Sequence, residues 1–234
     1  MSSHHILLTP TATVRGLTRI ALLLILASVG GQLAIHLAGY EDSYRIVRLV
    51  NLDAERNIPA LFSTLLLLCA ALLLAFITIL KKNLKATYVT HWGFLACGFL
   101  FMTADEAFSF HEMLVPPMRK LLGDGHLGIF YFAWVLPGIC LVAVLALSFL
   151  RFLWHLPART RLIFVLAATL YLGGSIGFEL IGGHYAESSG TKNLTYNMLA
   201  TVEESLEMAG AITFIGELMQ FLAAHHLDVR FRPD

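Results

Sequence analysis

Six stretches of this 234-residue chain are long and apolar enough to cross a membrane, and this feature decides its class. An α-helix needs roughly 20 predominantly apolar residues to span the ~30 Å hydrocarbon core of a bilayer. A content of 57% hydrophobic and 14% charged residues also lies outside the range of ordinary soluble domains. We therefore predict a single all-α integral membrane domain, a bundle of six transmembrane helices near residues 17–37, 59–80, 88–108, 128–150, 162–181 and 198–222.

Basic residues in the connections predict how the bundle is oriented. Ten of the sixteen Lys and Arg residues fall in the N-terminal arm, the second and fourth connections and the C-terminus. Because Lys and Arg are enriched on the cytoplasmic side of membrane proteins, both termini are predicted to be cytoplasmic. The longest connection, residues 40–58, has an amphipathic pattern, which predicts a segment that lies on the outer interface or packs over the bundle. The predicted location is a bacterial-type inner (plasma) membrane.

Two local patterns predict how individual helices begin and pack. Asn57 followed by Pro59 is typical of a helix start, because Asn caps the first turn and Pro has no N–H to leave unpaired. Gly173, Gly174 and Gly177 form a face of the fifth predicted span on which another backbone can approach closely.

Acidic residues are concentrated on one predicted side of the membrane. Thirteen of the sixteen Asp and Glu residues fall on the non-cytoplasmic side. Ionisable groups within or beside a bilayer are costly and usually mark a functional site. Three predicted helices bring such groups to the same depth, which predicts one carboxylate and histidine centre. Its members are Asp105, Glu106, His111 and Glu112 on the third helix, Glu179, His184 and Glu187 on the fifth, and Glu203, Glu204 and Glu207 on the sixth.

Helical geometry limits which of these side chains can meet. Glu106 and His111 are five residues apart, as are Glu179 and His184, and five residues correspond to roughly 140° around a regular helix. Each pair can therefore reach one centre only where the helix unwinds. The Gly-Gly pair before His184 would allow unwinding there, whereas nothing in the sequence relaxes the third helix.

Carboxylates and imidazoles together form a ligand set suited to Zn, Fe or Mn, and helical bundles build such sites from inward-facing Glu and His. The spacing lacks the Glu-x-x-His element of soluble di-iron bundles and the His-x-x-x-His element of zinc helices. We predict a membrane enzyme, a hydrolase or an oxidoreductase, that binds a divalent transition metal and acts on a lipid-like or hydrophobic substrate. Glu204 is the predicted catalytic base, and the predicted metal ligands are Glu106, His111, Glu179, His184, Glu203 and Glu207.

Two other functions fit the same residues. Buried acids could carry protons or cations in a transporter or channel, with Glu217 continuing the path inward. The acids could instead be solvated and neutralised by nearby basic residues in a structural or accessory subunit of a membrane complex. The predicted partners are the lipid bilayer, a lipid-like substrate, and a membrane protein partner or further copies of the chain in a homo-oligomer. Nucleic acid is excluded, because the basic residues are few and scattered.

Overall fold

The computed structural model describes residues 9–38, 44–123 and 125–224, and these ranges contain helices, turns and short connections but no strand. The predicted all-α class is thus confirmed for the described residues. In chain order the helices are α1 (Pro10–Ala38), α2 (Tyr44–Val50), α3 (Ile58–Asn83), α4 (Val89–Phe108), α5 (Phe110–Met113), α6 (Val115–Leu122), α7 (Val135–His155), α8 (Ala158–Leu172), α9 (Glu179–Ser189) and α10 (Leu194–Ala224), with a 3₁₀ turn at Gly128–Phe130 and a π-helical segment at Gly173–Phe178 that joins α8 to α9.

Several of these helices are long and apolar enough to cross a membrane. Within the described residues five segments meet this condition alone, and α4 meets it only together with α5 and α6, from which it is bent by 72°. Five or six spans are therefore available, depending on whether that bent pair counts as one. The five are Pro10–Leu37, Ile58–Asn83, Val135–His155, Ala158–Ser189 and Leu194–Ala224.

The fourth predicted span begins later than the apolar pattern indicates. Helix α7 starts at Val135, and the segment before it is a 3₁₀ turn and a loop. The carboxylate of Glu187 on α9 accepts the backbone N–H groups of Leu127, at 2.7 Å, and of Gly128. Gly128 has a φ of 58°, a left-handed backbone conformation that a regular α-helix does not contain. These bonds hold the segment in a loop although its residues are apolar.

Helix α10 is the central element of the bundle and packs against α1, α3 and α8. Its buried face includes Ile215 and Leu218, and its Phe214 ring stacks on Phe99 of α4 at 4.8 Å between ring centroids. A Cβ atom at Gly210 would lie 2.7 Å from the backbone nitrogen of Tyr171, so glycine is needed for the close approach of α8. The central position of α10 brings its acidic residues into contact with the surrounding helices.

The loop between α2 and α3 is held over the end of the bundle by buried hydrogen bonds. Asn57 accepts the N–H of Ala60 at 3.0 Å, which confirms the predicted helix start. The Asn57 amide also donates to the carbonyls of Asn51, at 2.6 Å, and Arg48, at 3.0 Å. The N–H of Leu52 donates to the Ser28 hydroxyl of α1 at 3.1 Å. These bonds fix the position of the acidic residues between Leu52 and Asn57.

Candidate functional site

A cavity of about 410 Å³ lies where the loop between α2 and α3 meets α4, α6, α9 and α10. Its lining contains seven carboxyl groups, one imidazole and three aromatic rings. No Lys or Arg side chain occurs among the described residues that line it. The charged and aromatic lining residues are Asp53, Glu55, Glu106, Glu112, Glu179, Glu203, Glu204, His111, Phe132, Trp134 and Tyr196.

The third predicted helix ends in a sharp bend at Ser109. This residue has φ 55° and ψ 45°, and its N–H donates to the carbonyl of Asp105 at 2.6 Å. The chain then changes direction by 72°. After this bend, Asp105 accepts the backbone N–H of His111 through Oδ1 at 2.8 Å. The expectation that nothing relaxes the third helix is therefore wrong. The bend allows both Glu106 and His111 to line one cavity despite their five-residue spacing.

The imidazole of His111 has a fixed orientation. Its Nδ1 lies 2.9 Å from Oδ2 of Asp105, and its ring packs against Trp134 with 4.9 Å between centroids. An ionised carboxylate only accepts hydrogen bonds, so this contact places a proton on Nδ1. In neutral His111, Nε2 then remains available to a ligand, a metal ion or a proton. Carboxylate–histidine pairs of this kind set the tautomer of metal-binding and acid–base histidines.

The π-helical segment places Glu179 in the cavity, and Gly174 lets this segment approach α10. A Cβ atom at Gly174 would lie 2.6 Å from the carbonyl oxygen of Glu203 and 2.9 Å from Cγ of Glu207. The close backbone approach predicted for these glycines is thus confirmed at Gly174. The carboxyl groups of Glu179 and Glu203 interact directly. Glu179 also accepts the indole N–H of Trp134 at 2.8 Å.

Most of the acids predicted on α10 belong to the cavity, but not all. Glu203 and Glu204 line it, beside Ala200. Glu207 lies one helical turn further along, outside the lining, where its carboxyl interacts with the hydroxyl of Tyr171 on α8. The acidic residues of α10 therefore extend from the cavity into the contact between α8 and α10.

His184 lies away from the other predicted ligands. Its side chain is exposed and does not line the cavity. Helix α9 stays regular through Gly182 and Gly183. The unwinding that this pair would allow before His184 does not occur. A Cβ atom at Gly183 would lie 3.3 Å from side-chain atoms of both Phe132 and Tyr131. The Gly-Gly pair therefore allows close packing against the loop before α7.

Several residues of the cavity were not predicted as site residues. Asp53 and Glu55 come from the loop, and Trp134 and Tyr196 supply aromatic walls, whereas Glu112, a predicted member of the centre, lies at the exposed rim. The sequence offered one signal for Asp53 and Glu55, because both lie just before the Asn-capped start of a predicted span. Although the Asp53 side chain is exposed, desolvation by the surrounding protein raises its pKa to about 7, and the nearby charges of Glu179 and Glu112 act in the same direction.

The acids surround the cavity and do not converge on one point. Among residues 9–38, 44–123 and 125–224, no three His, Cys, Asp or Glu side chains are arranged to hold a metal ion. Of the six predicted metal ligands, Glu106, His111, Glu179 and Glu203 line the cavity. The arrangement offers seven carboxyl groups and one oriented imidazole, without a preassembled coordination sphere.

Comparison with known protein families gives a match. A family described as "Domain of unknown function (DUF8692)" matches residues 17–221, which include every residue that lines the cavity. No curated protein and no solved structure matches the chain. The cavity therefore lies entirely within the part of the chain that the family shares.

Proposed function

The chain belongs to the DUF8692 family, and we propose that it is an integral membrane protein whose acidic cavity binds a positively charged ligand. The observation that carries this proposal is a cavity lined by seven carboxyl groups without a Lys or Arg side chain among its described lining. Carboxylates this close repel one another, and a bound cation or proton relieves that repulsion. Arg119 of α6 is engaged elsewhere, because it donates to the carbonyl of Tyr131 at 3.0 Å and lies over its ring.

The proposed activity is that of a membrane enzyme, a hydrolase or an oxidoreductase, acting on a lipid-like or hydrophobic substrate. The Asp105–His111 pair supports this proposal, since an imidazole held through Nδ1 can bind or transfer a proton at Nε2. Glu204, which lines the cavity on α10, remains the proposed general base. His111 and Glu204 both line this cavity, as acid–base chemistry on one bound ligand requires.

A divalent transition metal, Zn, Fe or Mn, is the proposed cofactor. Glu106, His111, Glu179 and Glu203 would hold it, and Asp105 would orient the histidine. A metal bound there supplies Lewis acid chemistry that polarises a substrate oxygen or activates water. Because no three ligating groups are already arranged around one point in the described residues, binding requires carboxylate side chains to turn inward. Neither His184 nor Glu207 is included in this set, because neither lines the cavity.

The test is metal analysis of the purified full chain beside a matched pair of histidine variants. We expect a stoichiometric transition metal in the parent protein and in His184→Ala, and little metal in His111→Ala. Equal loss in both variants would contradict the assignment of His111. A parent protein that binds neither a transition metal nor any other cation would overturn the cation-binding proposal itself.

We further propose six spans, with α4 and α5–α6 together forming one bent span, and both termini in the cytoplasm. Lys and Arg are in excess around the α3–α4 and α7–α8 connections, which supports this orientation. The cavity then opens on the non-cytoplasmic side of a bacterial-type inner membrane.

Labelling of a single cysteine tests this orientation. In a cysteine-free background, Lys192→Cys should react with a membrane-impermeant maleimide added from outside. Labelling only after the membrane is permeabilised would reverse the orientation.

Proton- or cation-coupled transport is the second candidate function. Glu207 lies beyond the cavity on α10, and Glu217 lies about 15 Å further along the same helix by the rise of an α-helix. Glu217 is only 4% exposed, and its Oε2 has no hydrogen-bond partner among the described residues. Transport predicts cation or proton flux in liposomes that is lost in Glu217→Gln. Absence of flux in the parent protein would contradict it.

A further inference from the structure

We propose that the ligand of the acidic cavity is an amphiphile with a positively charged headgroup, whose hydrocarbon chain leaves the cavity past α6 into the lipid. This inference rests on the proposed binding of a cation and narrows it to one ligand class. Three observations support it: the size of the cavity, its aromatic walls, and the apolar surface beside its rim.

The cavity is larger than a single metal ion needs. Its volume is about 410 Å³, and a water molecule occupies ~30 Å³ in the liquid, so the cavity has room for on the order of ten waters or a small organic group. An ammonium headgroup of a few heavy atoms fits this space and carries its charge on a bulky group. The size therefore leaves room for an organic cation beyond what the proposed metal ion would occupy.

The walls combine carboxylates with aromatic rings. Trp134, Tyr196 and Phe132 line the cavity together with the acids. Cations placed over aromatic faces are attracted by the ring electrons, and aromatic walls are the usual means of recognising ammonium groups. The indole of Trp134 is fixed by its bond to Glu179, so its ring is positioned before a ligand arrives. An anionic headgroup would face seven carboxyl groups and no Lys or Arg side chain among the described lining residues.

The rim of the cavity borders an exposed apolar surface. Val115 and Pro116, in the first turn of α6, line the cavity. Met113 and Leu114, which directly precede them in the chain, are 69% and 46% exposed. The α5–α6 part of the proposed bent span turns by 72° from α4, so it runs across the end of that helix. A hydrocarbon chain can therefore follow this apolar surface while its headgroup stays in the cavity.

Matched probes can separate the headgroup from the chain. The purified full chain in a neutral maltoside detergent is titrated with oleylamine, with oleyl alcohol, which lacks the charge, and with tetramethylammonium, which lacks the chain. The fluorescence of Trp134 in a Trp92→Phe/Trp154→Phe background reports occupancy of the cavity. We expect oleylamine to bind roughly tenfold or more tightly than either control, because only it uses both the acids and the apolar rim.

Variants then assign the binding to this cavity. Glu203→Gln and Met113→Asp should each weaken oleylamine binding, whereas Lys192→Gln, at an exposed side chain outside the cavity, should not. A thermal unfolding curve for each variant distinguishes lost binding from lost folding. Equal binding of oleyl alcohol would overturn the inference. Binding of Zn or Mn without oleylamine would overturn it and leave the cation-binding function intact, and binding of no cation at all would overturn both.

Discussion

Asp105 contacts His111 twice, through its Oδ1 to the backbone N–H at 2.8 Å and through its Oδ2 to Nδ1 at 2.9 Å. The first bond satisfies a backbone donor at the start of α5, just after the left-handed turn at Ser109. The second sets the orientation of the imidazole. One carboxylate thus connects the bend that ends α4 to the position of the only histidine that lines the cavity among the described residues.

Replacing Asp105 by Asn should separate these two roles. The amide oxygen of Asn can still accept the His111 N–H and preserve the bend, but the amide group is not a charged acceptor for Nδ1. Changes to such outer-shell partners typically cost about 10–100-fold in metal affinity. We expect Asp105→Asn to weaken Zn or Mn binding by about this factor, measured by calorimetry. Unchanged affinity would show that Asp105 acts only by accepting the backbone N–H of His111.

Substitution of Ser109 should test the bend directly. Its φ of 55° is a conformation that glycine adopts freely and that costs other residues roughly 1 kcal/mol or more. Ser109→Gly should therefore keep or raise the midpoint of thermal unfolding in detergent. Ser109→Val, with a β-branched side chain, should lower that midpoint and weaken cation binding together. If Ser109→Val matched the parent protein in both measurements, the bend would not determine the site.

Residue type and spacing were sufficient to predict the helices and much of the site. Apolar stretches have to be helical in a bilayer, and Asn57 with Pro59 marks the start of α3. Placing the acids at one depth was enough to group Glu106, His111, Glu179, Glu203 and Glu204, all of which line the cavity. The orientation of the termini stays a prediction, and so do the six spans and the metal.

The remaining features depend on tertiary contacts that spacing does not encode. A serine rarely adopts a left-handed conformation, and the turn at Ser109 is accompanied by the carbonyl and carboxylate bonds of Asp105. Asp53 enters the site because Asn57 and Ser28 hold the preceding loop over the bundle. His184 falls outside the cavity because its helix remains regular. The turn at Ser109 and the position of Asp53 thus depend on hydrogen bonds that residue spacing alone does not encode.

The two adjacent glycines of the π-helical segment offer a matched comparison. A Cβ atom at Gly174 would lie 2.6 Å from a backbone oxygen of α10, whereas one at Gly173 would meet nothing within 4 Å. Overpacking of this kind typically costs about 1–3 kcal/mol, because backbones have to move apart. We expect Gly174→Ala to lower the unfolding midpoint and weaken cation binding, since α10 carries Glu203. Gly173→Ala should leave both unchanged, and similar losses in the two variants would refute the packing argument.

The pH dependence of the protein should reveal Asp53 at the rim of the cavity. Its side chain is exposed, but the surrounding protein and two neighbouring carboxyl groups raise its pKa from an ordinary value of 3.8 to about 7. Between about pH 4 and 7 the folded protein therefore retains a proton that the unfolded chain has released. Raising the pH through this window should lower the stability of the unliganded protein, and Asp53→Asn should reduce that slope.

Cation binding should change with pH in the opposite direction. As pH rises through about 7, Asp53 gains its charge, so the affinity for a cation should increase, and Asp53→Asn should remove part of that increase. Thermal unfolding and calorimetric titration at pH 5, 6, 7 and 8 measure the two effects on the same samples. Lys192→Gln, at an exposed side chain outside the cavity, should retain the dependence of the parent protein. An Asp53→Asn protein with the full pH dependence of the parent would show that another group of the cavity is responsible.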